Sequence, residues 1–364
     1  MKIFIYFMIV SSIVFFGGCD DKLFDLSDEK TVTDPPPAQP VTEDTVIVKE
    51  YNGPGSKWEL TLHDYGVFTL KEDESIGISM SGTHTALTSG FTKLKVTTST
   101  NPSLSSSEAY MLEVPGLLTI MQPLINDVNY SQLIAMIPSG ACQSGNINNN
   151  WIDIKRDINS SSSAVFGTFN FLDGNGSASL NKRFNLISAD LGEANLSTLE
   201  CNQGLANLTD GRGYMHTSGN SIIHTGLSTP SDDSDDSFML SIPAKSINSI
   251  SALSDEYIGF VYDSTLKSIQ PVNMALSEVG IGVGYLYTDV GNEVLDTNNS
   301  INIVVNQVNR PLDGFVNLGI NGAQSRCIAD SNLSGSGRKV MMCTGDNPSQ
   351  AGVGHIYTML LVSK

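Results

Sequence analysis

Apolar and polar residues alternate one by one through segment after segment of this chain, and a two-residue period suits little except strands. Trp58-Glu59-Leu60-Thr61-Leu62 is one such segment. Phe238-Met239-Leu240-Ser241-Ile242, Ile301-Asn302-Ile303 and Val316-Asn317-Leu318-Gly319-Ile320-Asn321 repeat the pattern. Ser, Thr, Asn and Gly fill the gaps, so turns are frequent and local. Asp173-Gly174-Asn175-Gly176 sits between Phe169-Asn170-Phe171 and Ala178-Ser179-Leu180, which predicts a hairpin. Gly280-Ile281-Gly282-Val283-Gly284 reads as a strand whose backbone is closely approached. Short helical turns are expected only near residues 131–136 and 246–250. The fold class is therefore all-β, as antiparallel sandwich or barrel domains.

With 364 residues, the length suits about two domains. The turn-rich stretch around Asp210 divides them into a first β-domain over 46–210 and a second over 211–364. Ahead of these, residues 19–45 are polar, acidic and broken by Asp34-Pro35-Pro36-Pro37-Ala38-Gln39-Pro40. A proline-rich stretch of this kind is extended and packs no core, so it reads as a linker.

Residues 1–18 have the three parts of an export signal: Lys2, an apolar run from Ile3 to Phe16, and Gly17-Gly18 before Cys19. A membrane span needs about 20 apolar residues, whereas Ser11-Ser12 interrupts this run and Asp20-Asp21 follows it. The segment resembles the signal of bacterial lipoproteins through Gly18 and Cys19, with Phe16 where that pattern usually has an aliphatic residue. The resemblance covers only the first twenty or so residues. It implies that Cys19 is lipidated, palmitate among the chains it carries, and becomes the new N-terminus. The protein would then be tethered to a membrane of the cell envelope without crossing it. Two or more acyl chains make such attachment stable, where one is marginal.

Setting Cys19 aside, four cysteines remain, an even number that suits disulfides in an exported protein. Cys327 and Cys343 flank the turn-rich stretch from Asp330 to Gly337, which would fold them opposite one another. By elimination Cys142 pairs with Cys201. No C-x-x-C or Cys/His cluster competes for them as a metal site.

The chain carries 38 acidic and 20 basic residues, a net charge of -18. No Lys/Arg stripe offers counterion release, so nucleic acid is excluded as a partner. Catalytic strings are missing too. No G-x-S-x-G elbow occurs, Gly219-Asn220-Ser221 failing at Ile223, and neither H-E-x-x-H nor G-K-[ST] is present. His63 adjoins Asp64, and His216 and His224 flank one predicted hairpin; His84 and His355 stand apart. The acidic run with Asp232, Asp233, Asp235 and Asp236 is the candidate for calcium, which takes six to eight oxygens, though a solvated loop is the default. Asp173-Gly174-Asn175 starts like an EF-hand loop, but Ala178 and Phe184 occupy positions that need Gly and Glu. Trp58, Trp151, Tyr257, Tyr262, Tyr285 and Tyr287 are the aromatics available for a carbohydrate platform.

The sequence thus describes a lipid-tethered envelope protein without a cofactor, acting by binding or as architecture. Its partners are a membrane, through Cys19, and a protein, a glycan or a small apolar ligand held inside a barrel. The alternative is an exported hydrolase that uses loop carboxylates on glycans.

Overall fold

The computed structural model describes residues 44–364 except 54–56, 73–76, 115, 126–127, 130–133, 141–146, 156–164, 172–176, 186–193, 203, 209–210, 216–220, 226–236, 264–267, 334–335 and 347–355. The signal, Cys19 and the proline-rich linker lie outside that set. Residues 44–364 form one compact unit built almost wholly of antiparallel strands.

The first group of strands is β1 (Val46–Asn52), β2 (Lys57–His63), β3 (Val67–Glu72), β4 (Ser79–Ala86) and β5 (Thr92–Ser99). It continues with β6 (Glu108–Val114), β7 (Leu118–Ile125), β8 (Val128–Asn129) and β9 (Ile134–Pro138). They make a nine-stranded sheet in the order β6-β5-β4-β3-β2-β1-β9-β7-β8. Because β6 also pairs with β7 from Glu108↔Leu124 to Val114↔Leu118, eight of these strands form a ring. The seam of the ring is short: β1 meets β9 only at Tyr51↔Pro138 and Asn52↔Ile137.

The second group is β10 (Ile147–Lys155), β11 (Val165–Phe171), β12 (Ser177–Asn185) and β13 (Ala194–Asn202), followed by β14 (Leu205–Leu208), β15 (Gly211–Met215), β16 (Ser221–Thr225) and β17 (Ser237–Pro243). The third is β18 (Asp255–Asp263), β19 (Ser268–Leu276), β20 (Ile281–Asp289) and β21 (Val294–Val308), then β22 (Phe315–Ile320), β23 (Ala323–Asp330), β24 (Val340–Asp346) and β25 (Ile356–Ser363). Each of these two sets closes into an eight-stranded barrel, in chain order. Closure removes the exposed strand edges that would otherwise template aggregation.

Alternation along the strands sorts side chains into separate cores. Tyr51, Trp58, Leu60, Phe68, Met80, Leu94, Met111, Met121 and Met136 come from all eight strands of the first ring and pack together. A set drawn from every strand of a ring can meet only inside it. In the third barrel, Tyr257, Val272, Met274, Ile303, Leu318, Cys327, Met341, Cys343 and Met359 likewise fill the interior. Their sequence neighbours face outwards into a third, shared core. It gathers Tyr110, Leu112 and Ile120 of the first ring, Ile152, Leu240 and Ile242 of the second barrel, and Ile258, Phe260, Met342 and Leu360 of the third. Strands at this junction are buried on both faces, so they read as continuous apolar runs such as Met359-Leu360-Leu361-Val362.

The structure bears on three of the sequence expectations. Of the helical turn expected near 131–136, residues 131–133 lie outside the described residues and 134–136 belong to β9, whose apolar run feeds two cores at once: Met136 faces the ring interior and Ala135 and Ile137 the shared core. The second expected turn lies a few residues later, as a 3-10 turn over Ile250–Leu253 whose N-cap Ser249 accepts from the Ala252 amide. Asp210, the expected boundary, is itself outside the described residues. It falls between β14 and β15, which pair at Leu208↔Gly211 within the second barrel. The pairing breaks instead between Pro138 and Ile147 and between Pro243 and Asp255, giving three β units in place of two.

Candidate functional site

The first and third units meet along a groove of about 580 Å³. One wall is Lys93, Glu108 and Tyr110 from β5 and β6; the other runs from Leu286 to Asn292 at the end of β20, with Asp296 beyond. Tyr287 and Val290, which line it, belong to the apolar shared core. The Phe91 ring packs edge-on against Phe260 (centroids 5.3 Å apart) and Tyr287 (6.0 Å). Val290 is buried in the shared core beneath them.

Along the groove every carboxylate is held by a partner. Glu108 accepts from Lys93 Nζ at 2.7 Å. Asp289 accepts from the Asn292 amide at 2.9 Å and from its side chain at 2.7 Å, and these bonds hold its carboxyl below the usual range. Asp296 does the same with the Asn299 side chain and the Asn298 amide, with the same downward effect. Burial pushes the Tyr110 phenol up to about 12, and the neighbouring Glu108 and Asp289 charges add to it.

At the end of the groove, a clasp ties the two units together. Glu293, at the β20–β21 turn with φ of 57°, accepts from the Thr88 hydroxyl at 2.5 Å and from the Ser89 amide at 2.6 Å. Both bonds favour the ionised form and lower its carboxyl from the ordinary 4.5. The groove thus presents charged side chains held in place by hydrogen bonds and an ion pair. A glycosidase acid must hold a proton near neutrality, and Asp289 and Asp296 are shifted the opposite way.

The structure places the sequence candidates as follows. Cys327 and Cys343 stand opposite each other in β23 and β24 and are joined by a disulfide, wholly buried in the third barrel. Cys142 is outside the described residues, as is the Cys201 side chain, although the Cys201 backbone pairs with Ala206 in β13–β14. Asp232, Asp233, Asp235 and Asp236 also lie outside them. His63 bonds Asp44 rather than Asp64, at 2.8 Å, and His84 bonds the His63 carbonyl at 2.8 Å. His216, His355 and the His224 side chain are outside the described set. Among the described residues, no group of three or more His, Cys, Asp or Glu is placed to hold a metal ion. Trp58, Trp151, Tyr257 and Tyr287 are core residues and form no platform. Among the described residues, buried side chains pack together inside the first and third units.

Sequence reasoning missed Lys93, Glu108, Asp289, Glu293 and Asp296 as a set. The signal that could have pointed to two of them is the turn composition of Asp289-Val290-Gly291-Asn292 and Asp296-Thr297-Asn298-Asn299. Their meeting with Lys93 and Glu108 depends on how two barrels pack.

No family model matches the chain, and no curated protein matches it. Solved structures with some similarity include a double mutant of the vaccine antigen Transferrin Binding Protein B from Haemophilus parasuis Hp5, at 7% identity and a TM-score of 0.23 over 86% of this chain. Another is the isotype 1 Transferrin binding protein B from serogroup B Neisseria meningitidis, at 11% identity and 0.24 over 85%. This chain covers 66% of the length of each. Scores at this level assign neither fold nor role.

Proposed function

We propose that the protein is a non-enzymatic binding protein of the bacterial cell envelope, tethered through lipid on Cys19, which recognises a partner with its outer surface at the groove between the first and third units. The observation that carries this reading is the packing of both interiors by buried side chains, from all eight strands of the first ring and from seven of the eight in the third barrel. Recognition is thereby left to the outer walls, and the groove is where charged and polar groups converge on a fixed frame. The buried Cys327–Cys343 disulfide suits an oxidising compartment outside the cytosol.

Two measurements test the two halves separately. Cys19→Ala should abolish palmitate labelling and release the protein from the membrane fraction; labelling that persists ends the tether reading. Photo-crosslinking residues placed at Thr288 and Asn292, in intact cells, should yield a discrete adduct that the same residue at exposed Thr97 does not. Equal or absent adducts would remove the groove as the recognition surface. Release of reducing sugar from cell-wall glycan that Asp289→Asn abolishes would establish the hydrolase instead.

A further inference from the structure

Eight large apolar side chains among the described residues are strongly exposed, and they form two sets. Val279, Ile281, Val294 and Val304 lie on or beside β20 and β21 of the third barrel. Val46, Ile47, Val48 and Tyr65 belong to the first ring and are 46%, 49%, 56% and 63% exposed. The strand register gathers this second set. Val46 and Ile47 of β1 lie opposite His63 and Leu62 of β2. Tyr65, in the turn between β2 and β3, packs against His63 with ring centroids 4.9 Å apart. Alternation turns Val46 and Val48 to one face of β1 and Ile47 to the other, so the strand is open here on both faces.

The turn that carries Tyr65 is held in place. The Gly66 amide donates to the His63 carbonyl at 3.0 Å, the His84 amide donates to the Gly66 carbonyl at 2.7 Å, and His84 Nε2 bonds the His63 carbonyl at 2.8 Å. Asp44, the first described residue, is fastened to the same turn, its Oδ2 standing 2.8 Å from His63 Nδ1. Beside it the Thr45 amide donates to Asp64 Oδ2 at 3.1 Å, and the Asp64 amide donates to the Thr45 carbonyl at 3.2 Å. Residues 1–43 join the ring at Asp44, so the chain that bears Cys19 is covalently continuous with this patch.

Apolar side chains exposed together mark a surface that something else covers. Of the two sets, only this one adjoins the chain that leads to the lipid. We propose that this end of the first ring is a membrane-contact surface, on which Val46, Ile47, Val48 and Tyr65 lie against the bilayer at the boundary of headgroups and acyl chains. The inference rests on the tether through Cys19 proposed above. Aliphatic side chains enter that boundary, and a tyrosine ring sits with its hydroxyl at headgroup level. Contact at this depth keeps the β1 backbone within reach of water, which a membrane span would not. Asp44, Glu50 and Asp64 are exposed around the patch, so the headgroups it meets are neutral and zwitterionic; anionic ones would be repelled.

The full chain, extracted from membranes with its lipid, can be reconstituted into phosphatidylcholine vesicles that carry a photoreactive acyl chain. Irradiation and peptide mapping should place lipid adducts on Val46, Ile47, Val48 and Tyr65. Val279, Ile281 and Val304, similarly apolar and exposed, should carry none. Replacing phosphatidylcholine by phosphatidylglycerol should reduce the adducts, and added salt should restore them; an increase in phosphatidylglycerol would overturn the choice of neutral headgroups. Vesicles that float with the protein but leave the patch unlabelled overturn the contact surface and leave the tether standing. A chain that does not float with vesicles overturns the tether and this surface together. Adducts shared equally by the two sets, or residues 46–48 crosslinked to a second copy in place of lipid, overturn the contact surface as well.

Discussion

Gly259 shows how closely single residues are specified in the third barrel. It sits in β18 between Val272 of β19 and Leu361 of β25, and a Cβ there would collide with the Leu360 carbonyl oxygen. Gly259→Val should therefore separate β18 from β25 and cost about 3 kcal/mol or more in urea unfolding, at the upper end of overpacking. Glu293 acts through charge. Its carboxyl is lowered by Thr88 and Ser89, so its stabilising effect is complete above the ordinary 4.5 and is lost as pH falls through the lower folded value. In Glu293→Gln that acid-side loss should be smaller than in the parent when melting temperature is followed from pH 6 to pH 3. An identical acid limb would show that the clasp carries no pH dependence. Neither role was legible in the sequence. In the sequence Gly259 is one of 33 glycines, and Glu293 had no feature that separated it from other acidic residues, because Thr88 lies 205 positions away.

Elements were far more legible, wherever one face meets solvent. Trp58 to Leu62, Ile301 to Ile303 and Val316 to Ile320 alternate because one side packs inwards and the other does not, and all are strands. The rule weakens where a strand is buried on both faces. Residues 131–136 suggested a helical turn because the apolar run that begins at Leu133 carries no period of two. The glycines in β20 show the same limit differently: a Cβ on Gly282 would stand 2.9 Å from the Ala275 carbonyl, and one on Gly284 would stand 3.1 Å from Met274 Cε, so close packing was inferable but its partner was not. Turn chemistry located the β23–β24 hairpin, and with it the Cys327–Cys343 pairing. In the chain-entropy picture a link across 16 residues stabilises by about 3 kcal/mol. The double substitution Cys327→Ala, Cys343→Ala removes this and some core packing, so it should lower unfolding stability by at least that amount. Reduction of the parent under native conditions should be slow, since both sulfurs are buried. Rapid labelling by a thiol reagent after mild reductant would show that the third barrel opens far more readily than its packing implies.

At the scale of the whole molecule, the three β units are not independent pieces. The outer faces of β6, β7 and β9, of β10 and β17, and of β18, β23, β24 and β25 contribute to one apolar cluster. Specific ties surround it: Asn150 donates to the Asp313 carbonyl at 2.7 Å, Lys245 to Asp330 at 2.6 Å, and Thr88 and Ser89 to Glu293. The segment between the second and third barrels is pinned as well, with the Ile247 amide and carbonyl both bonded to Asn309, at 2.8 and 2.7 Å. The division near Asp210 rested on turn residues, and a barrel made of hairpins has such turns inside it as often as between domains. Chain position alone does not separate the two cases; closure of the ring does. A fragment ending at Asp210 would keep β10 to β14 and lose β15 to β17, leaving β10 without β17 and β14 without β15. It would also expose the first ring's share of the common core, including Tyr110, Leu112 and Ile120. Expressed alone, residues 46–210 should therefore be aggregated or protease-sensitive. The chain from residue 44 onwards should instead unfold in a single calorimetric transition, because loss of any unit uncovers apolar surface on the other two. Separate transitions, or a protease-resistant core that ends near Asp210, would mean that the shared cluster does not couple the units.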